Sequence, residues 1–303
     1  MLHNVAVGID GSAESLAAAH WAAREALRRG AGLTVVHAWW RRVRPGPDVP
    51  AATGEHDRAE QTLREAVDGV RAAHPELSVT GRLICDATVS ALLTAAAGTD
   101  LLVLGSSGPG GVAGCVTGSV SRRVAGRSPC PVVLVGAGQG TVSEHLLATD
   151  GIAPDEIPEI PYRAVLLGLD TGHPCDELIA FAFEAARRRG TELRVLHACR
   201  PPSGSVADTA SVSRPSGPER PAAAEHAVLA AVRPWREKYP EVPVTESVVE
   251  GRATTELVRA AAEAGLAVVG RRTRGGRIGT HLGPVAHAVL HHVRCPVAVV
   301  PHS

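Results

Sequence analysis

The sequence predicts an α/β chain made of two tandem, doubly wound, parallel five-stranded sheets. Short apolar runs alternate with longer amphipathic stretches, the pattern of parallel strands joined by crossover helices. The first half returns in the second. VAVGID (5–10) reappears as VLLGLD (165–170), and LTVVHA (33–38) as LRVLHA (193–198), both at an offset of 160. CPVVLV (130–135) reappears as CPVAVV (295–300) at an offset of 165. A length of 303 residues with 45% hydrophobic side chains suits two domains with packed cores.

Each element of the first half has a local reason. Asn4 to Ile9 is an apolar strand that ends in Asp10-Gly11-Ser12. Residues 13–29 have helical period, and Gly30 stops them. Leu33 to Ala38 is a second strand, and a polar, Pro- and Gly-rich loop runs from Arg41 to Gly54. His56 to Ala73 reads as helix, with Pro75 just beyond. Leu77 to Ile84 is a third strand, Ala87 to Ala97 a helix and Leu101 to Leu104 a buried strand. A helix over 119–127 and a strand from Pro131 to Val135 complete the half. The repeat then gives domains at 1–138 and 162–303, with a linker over 139–161. Five extra residues fall between His197 and Gly270, and the Pro-, Ser- and Gly-rich stretch 200–222 is their expected host.

Between the fourth strand and the next helix lies GSSGPGGVAGCVTGS, residues 105–119. Glycines let a backbone turn sharply and let a ligand come close. A helix start offers free N–H groups and a favourable dipole to an anion. Strand, glycine loop and helix start together make a phosphate cradle, or else a surface loop that binds nothing. A Walker A loop is excluded, because G-x-x-x-x-G-K-S/T needs a lysine and the stretch has none. Gly108 to Ala113 fits the G-x-G-x-x-A form of a dinucleotide fingerprint, but it follows the fourth strand and runs into no helix.

Composition narrows the function classes. A formal net charge of zero and a pI near 7.3 argue against a nucleic-acid partner held by bulk charge. Residues 1–12 show no basic n-region with an apolar core, and no apolar run reaches 18 residues. The expectation is a cytoplasmic chain without membrane contact. Cys85, Cys115, Cys130, Cys175, Cys199 and Cys295 form no C-x-x-C pair and read as buried thiols. No nucleophile–base–orienter set is recognisable by spacing, so at most slow ATP hydrolysis is expected.

Gly105-x2-Gly108-x9-Gly118-Ser119 resembles the nucleotide loop of the universal stress protein family, and with the repeat the resemblance covers nearly the whole chain. It implies the UspA fold, akin to the adenine nucleotide alpha hydrolases, and ATP as ligand, alone or with Mg2+. It assigns Asp10 to the adenosine and the backbone at Ala38 to the adenine edge. Gly105, Gly108, Gly118, Ser119 and Val120 fall to the ribose and phosphates. Family protomers pair through their last strands, so Val132–Val135 and Val297–Val300 are expected to pair within one chain as a built-in pseudo-dimer, with a homodimer of whole chains as a further option.

The second half keeps Asp170, Ala198, Gly270 and Gly283 but has Thr273 for Gly108 and Pro284 for Ser119. Proline has neither N–H nor hydroxyl, so phosphate donors are lost. Arg271, Arg272, Arg274 and Arg277 crowd this loop and offer replacement by forked hydrogen bonds, or form a solvated basic loop. The reading is a stress-response regulator that binds ATP in the first domain and more weakly in the second. A scaffold with vestigial pockets and a slow enzyme are the alternatives. His37 and His197 read as structural, bonded to backbone. His287 and His291, spaced i, i+4, lack a completing ligand for a metal. Trp39 and Trp40 read as packing under the loop, with stacking of one of them on a base as the alternative.

Overall fold

The computed structural model describes residues 4–40, 51–106 (51–53 as backbone only), 118–136, 144–146, 160–173, 175–199, 221–273 and 282–302. The first half runs β1 (Asn4–Ile9), α1 (Ala13–Arg29), β2 (Gly32–Trp39), α2 (Ala51–Ala73), β3 (Val79–Cys85), α3 (Thr88–Ala96), β4 (Leu101–Ser106), α4 (Ser119–Ala125) and β5 (Val132–Gly136). The second half runs β6 (Val165–Gly168), α5 (Asp176–Arg189), β7 (Leu193–Cys199), α6 (Pro221–Lys238), β8 (Val244–Glu250) and α7 (Ala253–Ala260). It closes with β9 (Leu266–Arg272), α8 (Pro284–His292) and β10 (Val297–His302).

The strands form one ten-stranded sheet in the order β3-β2-β1-β4-β5-β10-β9-β6-β7-β8. Each half is parallel internally, and the halves join through the antiparallel pair β5–β10, with Val297 opposite Leu134 and Val299 opposite Val132. Central strands are apolar on both faces because helices cover both. One face is packed by α1, α2, α5 and α6, through residues such as Trp21, Val67, Phe183 and Val228. The other is packed by α3, α4, α7 and α8, through Leu92, Val124, Leu257 and Val289. Helix α1 starts where the Ser12 side chain accepts from the Ser15 N–H and stops at Gly30 with φ 59. Gly190 ends α5 in the same way, with φ 58.

Several boundaries differ from the sequence reading. Helix α2 begins at Ala51, so the end of the expected loop is helical. A Cβ at Gly54 would meet nothing within 4 Å. An exposed helical glycine costs only about 1 kcal/mol, and burial of Ala59, Ala66, Val67 and Val70 offsets that. Leu77 is buried but lies in a turn, its N–H bonded to the His74 carbonyl, and β3 starts at Val79. Strand β4 runs on to Ser106 because Gly105 and Ser106 pair with Val135 and Gly136. Of the expected buried thiols Cys85 is exposed, while Cys130, Cys175, Cys199 and Cys295 are buried and free.

The halves also meet through charge. Glu25 of α1 is buried and bonds Arg29 at 2.7 Å, Arg189 of α5 at 2.8 Å and Arg28 at 3.1 Å. Part of the connecting segment joins this cluster. Glu144 is buried and accepts from Arg24 at 3.1 Å and Arg28 at 3.4 Å, and the adjacent His145 forms a β-bridge with Tyr162. The stretch expected to be a plain connector therefore carries a buried counter-charge.

Replacing Glu25 with Ala leaves Arg189 buried without its carboxylate, and urea unfolding should show a loss of about 3–5 kcal/mol. Burial pushes the Glu25 carboxyl up, but Arg189, Arg29 and Arg28 bring it down to about 2 from 4.5. A carboxylate lowered in this way supports the fold fully above 4.5 and loses its contribution as pH falls toward 2. Stability of the natural chain should decline across that window, and more steeply than that of Glu25→Gln.

Candidate functional site

In the first half, three strands carry the expected residues to one place. Ile9 is level with His37 and Gly8 with Leu104, so Asp10, Ala38 and Ser106 emerge at one level at the carboxyl ends of β1, β2 and β4. The chain leaves β1 for β2 on one side and reaches β4 on the other. Such a switch in strand order opens a crevice at the carboxyl ends.

The turn after β1 is built locally. Asp10 Oδ1 accepts from the Ser12 N–H at 3.0 Å and the Ser12 hydroxyl at 2.5 Å. Gly11 between them has φ 83, which favours glycine. The Ser15 hydroxyl accepts the Asp10 N–H at 3.3 Å and donates to the Ser12 carbonyl at 2.9 Å. Partial burial acts to raise the Asp10 carboxyl, but the Ser12 and Ser15 bonds and the nearby His37 lower it below its usual range. Asp10 is therefore an ionised acceptor at the mouth of the crevice. Behind it, the His37 Nδ1–H donates to the Ile9 carbonyl at 2.8 Å. His197 repeats this bond to Leu169 at 2.9 Å, as the backbone-bonded reading of both histidines expected.

The loop glycines have different causes. A Cβ at Gly105 would lie 2.7–2.8 Å from backbone atoms of Glu14 and Ser15, so the first turn of α1 rests directly on it. The Gly105 carbonyl accepts from the Ser121 hydroxyl at 2.7 Å, which ties α4 to β4. Gly118 caps α4 without a side-chain bond and has φ −55. Among the described residues nothing comes closer to a Cβ there than Ser121 Oγ at 3.8 Å. Packing explains Gly105, while among the described residues a Cβ at Gly118 would make only an ordinary contact. Ser119 is exposed and Val120 half-buried at the start of α4. Gly108 lies outside the described residues. Trp39 packs against His56 of α2 at 4.9 Å between ring centres, and Trp40 is exposed.

In the second half the register is kept but different groups stand at the strand ends. Gly168 is level with Leu196 and Leu167 with Val268, so Asp170, Ala198 and Arg271 emerge together. Asp170 is exposed and engaged by the Gly172 N–H at 3.1 Å and by His173 at 3.4 Å. By the repeat offset Ala13 corresponds to His173, yet α5 starts only at Asp176 and has no side-chain cap. The space left by that missing turn is taken by His302. A Cβ at Gly270 would meet its Nε2 at 2.7 Å and Leu178 at 3.1 Å. Thr273 donates both its N–H and its hydroxyl to the His302 carbonyl, at 2.6 and 2.8 Å. Pro284 stands at the first turn of α8, and among the described residues a Cβ at Gly283 would meet nothing within 4 Å.

The expected arginine cluster divides. Arg272 is exposed, and Arg274 and Arg277 lie outside the described residues. Arg271, for which the sequence left a phosphate partner and a solvated basic loop both open, is buried and donates to the Gly126 and Ser128 carbonyls of the first half. Alternation along β9 sends it to the face opposite Arg272. His287 and His291 stack at 4.2 Å, and among the described residues no three His, Cys, Asp or Glu come together as a metal site. No helix of the described residues is long and apolar enough to cross a membrane. The sequence reading missed His302 and Ser121. Ser121 had a signal, two places after Ser119 in the same helix. His302 had only its place beyond the end of the repeated strand.

Gly105→Ala should lower the thermal midpoint, since overpacking against the α1 backbone costs roughly 1–3 kcal/mol. Gly270→Ala should cost less in a chain that also carries His302→Ala, because the obstacle there is a side chain. A double-mutant cycle by thermal unfolding reads the difference.

The two-fold repeat, the crevice at the strand ends and the glycine loop all bear on kinship. The universal stress protein family model matches residues 1–136 and 161–301. The universal stress protein Rv2005c of Mycobacterium tuberculosis is 37% identical, over 99% of this chain and 98% of its own length. A second protein of that organism, Rv2623, is 32% identical over 99% and 96%. A crystal structure of a universal stress protein from Archaeoglobus fulgidus covers 99% of this chain and 98% of its own with a TM-score of 0.70, and at 16% identity it bears on the fold alone. Family match in both halves and full-length likeness to tandem-sized relatives place this chain in the universal stress protein family.

Proposed function

We propose that the chain binds ATP in the crevice of its first half and serves in the cytoplasm as a nucleotide-dependent regulator of the stress response. The observation that carries this reading is the convergence of Asp10, Ala38 and the end of β4 beside the start of α4, where among the described residues no side chain caps the helix. The ionised Asp10 carboxylate suits ribose hydroxyl donors. The backbone at Ala38 is placed for an adenine edge. The N–H groups of Ser119 and Val120, with no side chain capping the helix, suit phosphate oxygens. Bound Mg2+ would offset part of the triphosphate charge. The β5–β10 seam gives one chain the arrangement of two paired protomers.

The second half is the weaker site in this reading. His302 occupies the space against Gly270, Thr273 has both donors engaged, and Pro284 removes an N–H from the start of α8. These same features favour a second reading, in which the second crevice belongs to a surface that binds other proteins.

Calorimetry of ATP with the full chain separates them. One tight site per chain is expected. Asp10→Ala or Gly118→Val should weaken it by about tenfold to a hundredfold, the cost of one or two bonds to a charged group. Asp170→Ala should leave it unchanged. Equal losses for Asp10→Ala and Asp170→Ala would refute the asymmetry. No heat and no thermal shift with ATP would leave the protein-binding reading in its place.

A further inference from the structure

Arg271 is neither part of a solvated basic loop nor turned toward its own crevice, the two places the sequence left open for it. It follows Gly270 on β9 and is 3% exposed. One guanidinium nitrogen donates to the Gly126 carbonyl at 3.2 Å, and the other to the Ser128 carbonyl. Both carbonyls belong to the turn between α4 and β5 in the other half, and Gly126 is the residue that ends α4. A cation at a helix carboxyl end is electrostatically favourable, and a guanidinium fork can satisfy two carbonyls at once.

The contact follows from the seam. Because β10 runs antiparallel to β5, the carboxyl end of β9 lies beside the turn that feeds β5. Helix α4 has only seven residues and cannot persist without tertiary support. Besides the burial of Val124 and Ala125, two polar ties among the described residues hold it to the rest of the chain. At its amino end Ser121 holds Gly105, and at its carboxyl end Arg271 reaches in from the other half. The repeat counterpart of Arg271 is Ser106, which is too short to make the reverse contact. The tie therefore runs one way, from the second half to the first. Two residues after Arg271, Thr273 is fixed to the His302 carbonyl, so that contact and the anchor share one strand end.

We propose that Arg271 is a positioning residue for the first-half nucleotide site: it sets α4, and with it the Ser119 and Val120 amides, from across the seam. The effect on binding rests on the nucleotide reading above, while the anchoring of α4 does not. Hydrogen exchange of the full chain tests the anchor directly. In Arg271→Gln, exchange over residues 119–130 should rise about tenfold, the loss of a bond to a charged group, with α1 and α5 exchanging as in the natural chain. Arg271→Lys, which keeps the charge and one bond, should fall between. ATP affinity measured by calorimetry should follow the same order.

Unchanged exchange over 119–130, or an equal rise throughout the chain, overturns the anchor. If Arg271→Gln does not fold, Arg271→Lys is judged alone: local acceleration supports the anchor, and natural exchange in α4 overturns it. A natural chain that binds no ATP defeats the nucleotide reading, and exchange in α4 still decides the anchor. Binding equal in all three proteins despite faster α4 exchange overturns the positioning role.

Discussion

An apolar strand at a sheet edge leaves a row of N–H and C=O groups without partners, and β5 and β10 are both such strands. Their antiparallel pairing removes two edges and makes one sheet of the two halves. The rest of the arrangement depends on it. An antiparallel seam points the two crevices to opposite ends of the sheet. It also brings α1 beside α5, where Glu25 and Arg189 meet in the interior. Burying those charges is costly unless they are paired and bonded, so the cluster selects one relative placement of the halves rather than merely gluing them.

The same seam makes the halves unequal neighbours. The turn between α4 and β5 lies beside the carboxyl end of β9. The second half places Arg271 there, where the repeat gives the first half Ser106, and so ties α4 from across the seam. In the second half His302 of β10 stands against Gly270 instead. Two copies of one fold have thus kept the backbone register while diverging in what stands at the strand ends.

Glycine is the residue whose meaning changed most between sequence and structure. Gly105 and Gly118 look alike in the loop pattern. Gly105 is required by a helix lying on the strand, whatever the ligand, whereas among the described residues nothing crowds a Cβ at Gly118. Gly270 repeats Gly105 in sequence but is required by a histidine rather than by a helix backbone. A pattern of glycines therefore reports close approach without saying what approaches.

The sequence by itself determined the alternation of strands and helices, the internal repeat, the strand ends that bear Asp10 and Ala38, and the backbone role of His37 and His197. These are local or periodic properties: apolar period, a capping Ser12, a stop at Gly30, a repeated VHA and LHA. Only the tertiary structure decided that Ser106 belongs to β4, that Glu144 in the connecting segment is a buried counter-charge, and that His302 and Arg271 have the places they do. Each of these rests on a partner remote in the chain, Gly126 being 145 residues from Arg271. No window of sequence contains both members of such a pair. What a side chain touches across a seam is set by the packing of whole sheets, which periodicity does not encode.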